Sequence, residues 1–129
     1  MKTPAQNQEQ SNTRSCRLVR AQDPFTGKQG LQYSVGISAE TVGATGINLQ
    51  IVTIAPGAKA KTHMHVGHET AIYALTGTSH VWYGPQLEEH ATVSPGDFFY
   101  VPAGMPHQPY NSSQEPVVVL VARTDPNDQ

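Results

Sequence analysis

The chain has one cysteine, Cys16, in 129 residues, so no disulfide can close within it. Cys16 itself sits near a loose terminus and reads as a bland thiol. No run is long and apolar enough to span a bilayer as a helix. Met1-Lys2-Thr3-Pro4 leads into Gln and Asn rather than the apolar core of a secretory leader. A cytoplasmic protein with no membrane partner is therefore expected. Charge is sparse: 8 Lys and Arg against 10 Asp and Glu give a formal net charge of -2, and the basic residues are scattered. Without a basic stripe there is no electrostatic footprint for nucleic acid. No amphipathic helix or tandem repeat stands out. His68-Glu69-Thr70-Ala71-Ile72 begins like the helical zinc-protease motif but has Ile72 where the second histidine belongs, which excludes that chemistry.

What the chain does have is glycine (11) and proline (10) set between short alternating segments. That pattern means many short strands joined by tight turns, hence a sandwich or barrel. The length suits one domain with a real core. Residues 1–15 are polar (Gln6, Asn7, Gln8, Glu9, Gln10, Ser11, Asn12) and are expected to form a disordered or arm-like segment. The barrel should occupy 16–124, and 125–129 should be a polar tail. Within the barrel, Cys16–Ala21 offers a possible first strand. Leu31–Ile37 alternates as a half-buried strand. Glu40–Gly46 reads as a loop. Ile47–Ile54 puts Ile47, Leu49 and Ile51 on one face and Val52 and Ile54 on the other, so both faces are expected to be covered. Lys59–His65, Thr70–Leu75, His80–Tyr83, Asp97–Val101 and Val117–Ala122 complete the strands, and Glu88–Val93 leads into a turn. Pro56-Gly57 and Pro95-Gly96 are turns, with proline presetting one dihedral and glycine supplying a positive one.

Of the six histidines, His63 and His65 are two apart and point the same way on a strand. His107 follows Pro102-Ala103-Gly104-Met105-Pro106, a stiff turn that holds its imidazole at little entropic cost. Two imidazoles on one face and a third from a distant strand can hold a metal ion. His80 and His90 are expected to face solvent. Most of Tyr73, Trp82, Tyr83, Phe98, Phe99, Tyr100 and Tyr110 are expected to be core or dimer contacts. Met64 should face away from the two histidines that flank it, and Met105 should sit at a pocket rim.

These stretches resemble the two motifs of the cupin superfamily. The first, G-x5-H-x-H-x3,4-E-x6-G, is matched by Gly57, His63, His65 and Glu69, with Gly77 one residue late. The second, G-x5-P-x-G-x2-H-x3-N, is matched at every position by Gly96, Pro102, Gly104, His107 and Asn111. The resemblance implies an all-β double-stranded β-helix, a jelly-roll barrel, with a divalent transition metal (Zn, Fe, Mn, Ni or Cu) inside its mouth. It also implies a homodimer paired through sheet faces or exchanged N-terminal strands. The late Gly77 leaves the fourth ligand open. If the strand is regular, His68 and Thr70 face inward and Glu69 outward, making His68 the candidate. If a bulge absorbs the extra residue, Glu69 turns inward. A site of His63, His65 and His107 alone is the third option.

A metal with an open position can bind water, oxygen or a substrate oxygen. Cupins include dioxygenases, isomerases and decarboxylases, so the resemblance implies a metalloenzyme acting on a small oxygen-bearing molecule. A non-catalytic module that binds a small molecule or metal is the alternative, and a purely structural metal site is a third.

Overall fold

A computed structural model describes residues 15–127 except 22, 28 and 29. The segment expected as an arm lies outside the described residues up to position 14. The chain is the expected all-β double-stranded β-helix. Its strands are β1 (Phe25–Thr26), β2 (Gln32–Ile37), β3 (Asn48–Ile54), β4 (Thr70–Thr76), β5 (Ser79–Tyr83), β6 (Glu89–Val93), β7 (Phe98–Val101), β8 (His107–Tyr110) and β9 (Val117–Arg123). They form a six-stranded sheet in the order β1-β2-β3-β9-β4-β7 and a three-stranded sheet in the order β6-β5-β8.

The core lies between the sheets. Val52, Ile54, Val117, Val119, Val121 and Ala74 face inward from β3, β9 and β4, and Val81 and Val93 face them from β5 and β6. Period-two alternation gives each strand one buried face, and burying each valine or isoleucine contributes about 1.5–3 kcal/mol.

Four local expectations need correction. Cys16–Ala21 forms no strand. The loop over 40–46 contains a one-turn helix, α1 (Ala39–Val42), because Ser38 and Thr41 bond each other's backbone amides in a capping box and Gly43 closes the end in a left-handed conformation. Lys59–His65 is not a continuous strand. It runs beside β8 through two isolated bridges, Lys59–Tyr110 and His63–His107. In β3 the buried face is Asn48, Gln50, Val52 and Ile54, while Ile47 and Leu49 are exposed. Hydrophobicity alone favours the opposite register at that end. The pairing of all seven β3 residues with β9 settles it.

The segment after β3 carries the chain from the large sheet to the small one. Ala60 donates to the Pro109 carbonyl and Asn111 donates to the Ala58 carbonyl, both at 2.9 Å. Asn111 is almost fully buried. Its side-chain amide donates to the carbonyls of Ile54 (3.0 Å) and Glu115 (2.7 Å), and its oxygen accepts from the Ser113 amide and hydroxyl. The motif asparagine is therefore a brace for the loop leaving β8. Gly77 has an equally local reason: a Cβ there would sit 2.6 Å from the Pro116 carbonyl oxygen. At the other end Pro126 is tied to the short helix, its carbonyl accepting from the Ala39 amide at 2.9 Å.

Candidate metal centre

His63 and His107 are held opposite each other by their own backbones. Each donates its amide to the other's carbonyl, at 2.9 and 3.0 Å. A pair bonded in this way projects both side chains to the same side of the sheet, and the ring centroids lie 4.2 Å apart. His65 is held by the second motif. Gly104, in the left-handed conformation that its turn requires, donates to the His65 carbonyl at 2.9 Å. The Pro102–Pro106 turn thus presents His107 and also pins the segment that carries His65. The His65 ring centroid is 5.3 Å from that of His63 and 5.8 Å from that of His107.

One ligand nitrogen from each of the three rings lies within 4.8 Å of the others. The tautomers suit a metal. His63 Nδ1 is 2.8 Å from the Lys61 carbonyl, and His107 Nδ1 is 2.9 Å from the Met105 carbonyl. A carbonyl can only accept, so both Nδ1 atoms carry the proton and both lone pairs fall on Nε2. Burial holds His107 down to about pKa 4, reinforced by His63, His65 and Arg123 and opposed by the Met105 carbonyl. It is therefore neutral at neutral pH, as a ligand must be. Three imidazoles converging in this way fit a divalent transition ion.

The structure does not bring the two candidate fourth ligands into this group. Glu69 is exposed on the outside of the barrel, where its carboxylate accepts from the Tyr100 hydroxyl at 2.9 Å and its amide donates to Thr124. That bond raises the Tyr100 phenol above its ordinary pKa. A register irregularity does exist in β4, but it lies between Ala74 and Thr76. It is too far downstream to turn Glu69, so Thr70 takes the inward place and is buried. His68 stands next to His65, with ring centroids 5.0 Å apart, yet its Nδ1 is 3.5 Å from the Asp125 carboxylate. Its nitrogens lie outside the converging set.

His63 and His107 open on a cavity of about 60 Å³ inside the barrel. Its wall includes His63, His107, Thr70, Arg123, Ile72 and Phe99. Arg123 is the residue that reading the chain missed. The signal was there: the inward series Val117, Val119, Val121 on β9 ends on an arginine, and Asn48-Gln50 on β3 does the same beside it. Elsewhere, Phe99 and Tyr83 pack on the core, whereas Phe98 and Tyr100 are exposed. His90 is exposed and hydrogen-bonded to the Tyr110 hydroxyl, and His80 is half-buried. Met64 faces solvent.

Residues 50–123 match the family described as Cupin domain. The chain belongs to the cupin family. No curated protein matches this cupin. Among solved structures it resembles oxalate decarboxylase of Bacillus subtilis. One such structure, described for its Mn(II) centres, gives a TM-score of 0.72 at 22% identity over 84% of this cupin. A second, solved at pH 4.6, gives 0.70 at 23% over 81%. A third, concerned with substrate binding mode and a reaction specificity switch, gives 0.69 at 23% over 84%. Identity this low shows the fold. This cupin spans 28–29% of the length of those chains. Among the described residues no helix is long and apolar enough to cross a membrane.

Proposed function

We propose that this cupin binds one divalent transition metal through His63, His65 and His107 and uses it on a small oxygen-bearing molecule held in the barrel. The observation that carries this reading is the convergence of three histidine nitrogens within 4.8 Å, two of the three histidines, His63 and His107, lining a cavity in the barrel. Three protein ligands leave positions for water and substrate on a four- to six-coordinate ion. The metal would act as a Lewis acid or activate a bound molecule, in chemistry of the dioxygenase, isomerase or decarboxylase type. An all-imidazole set favours Zn, Fe, Ni or Cu over Mn, which prefers an added carboxylate. The Mn(II) centres belong to the Bacillus enzyme, and in this chain Glu69 stands outside the histidine cluster.

The second reading, a binding module without turnover, is favoured by one feature. Among the described residues the cavity wall carries no Asp or Glu that would serve as a general acid or base. Metal analysis of protein purified without a histidine tag decides the shared part: about one equivalent is expected, and none refutes both readings. Turnover of keto acids, catechols or thiols by the loaded protein then separates enzyme from binder. We also propose a homodimer, supported by the exposed aromatic surface of the edge strand β7, where Phe98 is 81% exposed.

A further inference from the structure

We infer that Arg123 and Thr70 form an anion-anchoring subsite beside the three histidines, and that the ligand of this cavity is a small carboxylate rather than a neutral molecule. The inference deepens the proposed function, since the metal would hold the ligand's other end.

Four observations carry it. Arg123 is paired directly across β9 with Thr70 on β4 and with Asn48 on β3, so the three side chains form one inward row. All three are buried, Thr70 at 2% and Arg123 at 5% exposure. Arg123 and Thr70 line the same cavity as His63 and His107. The Thr70 hydroxyl has no hydrogen-bond partner among the described residues, and neither atom of the Gln50 amide, one inward step along β3 from Asn48, has one.

The chemistry follows from charge and shape. Among the described residues the wall holds a permanent cation and no carboxylate. Adding a divalent metal makes the cavity strongly positive while its low dielectric magnifies the field. A positive field of that kind attracts a carboxylate more strongly than a neutral molecule. The guanidinium is a planar fork matched to a carboxylate's two oxygens, and the Thr70 hydroxyl is placed to donate to one of them. A cavity of about 60 Å³ suits a small acid, of about two or three carbons.

The test uses the full chain, metal-loaded and chelated, with calorimetric titration of glycolate and oxalate against their neutral counterparts ethylene glycol and oxamide. The acids are expected to bind at least about tenfold tighter than the neutral molecules in both forms. Arg123→Gln should cut that preference to about twofold with metal content unchanged. Thr70→Val, nearly isosteric and safer for folding, should weaken the acids by about fivefold. Equal binding of acids and neutral molecules by the wild type overturns the subsite. So does an Arg123→Gln protein that keeps the full preference, or a preference confined to the metal-loaded form, which would assign the acids to the metal alone. A wild type that takes up no metal yet still prefers acids sinks the metal reading and leaves the subsite standing.

Discussion

The two ends of the barrel interior are built by the same three strands and are chemically opposite. At one end Ile54 pairs with Val117, and one step in Val52, Val119 and Ala74 stand side by side. Next come Gln50, Val121 and Ile72, and at the far end Asn48, Arg123 and Thr70. Backbone pairing runs unbroken along β3 and β9, so the ladder does not distinguish the ends. Side chains do. The apolar end gains stability from each methyl it removes from water. The polar end buries an arginine, a threonine and two amides at a desolvation cost that no stability argument requires. That row lies beside the histidines and shares their cavity, which makes this end the candidate for the proposed chemistry.

That contrast can be broken most sharply at the histidines. His107→Ala should weaken metal binding by about a hundredfold or more while the far end stays intact, as read by metal content after dialysis alongside a cooperative melt. Next is acid. The unfolded chain protonates this histidine near the ordinary 6.5, whereas the fold resists until about 4. The contribution of neutral His107 to stability is therefore complete above about pH 6.5 and is lost as pH falls toward 4. The loss should be on the order of 3 kcal/mol for metal-free protein in denaturant titrations, and it should vanish in His107→Ala. At the apolar end, Val117→Ala should cost about 2 kcal/mol in the same titration and leave metal affinity unchanged. The smallest effect belongs to the outer surface. Glu69→Gln should leave metal content unchanged and move the melting temperature by no more than about 2 °C. Ultraviolet titration should show the Tyr100 phenol falling back toward its ordinary 10.0. A loss of metal in that variant would restore Glu69 as a ligand.

The second motif was readable because it is local. Pro102, Gly104 and Pro106 act through dihedrals and one backbone bond, so their order in the chain carries their effect. The strands Leu31–Ile37 and Val117–Ala122 were readable for the same reason, since alternation is a short-range pattern. The short helix at Ala39–Val42 was not, because a single capped turn has no periodicity to detect. Lys59–His65 looked like a strand and is held instead by isolated bridges to β8, a partner more than 40 positions away in the chain.

Glu69 shows the same limit from another side. The motif spacing placed a carboxylate near the histidines, but which way it points depends on where β4 absorbs its extra residue. Pairing with β9 puts that irregularity at Ala74–Thr76. The order of residues by itself determined an all-β barrel, its turns and three histidines able to meet. The tertiary structure alone decided that Thr70 and Arg123 line the cavity on which His63 and His107 open and that Glu69 does not, because the facing of a strand is fixed by its neighbours' register and one residue of slip exchanges its two faces.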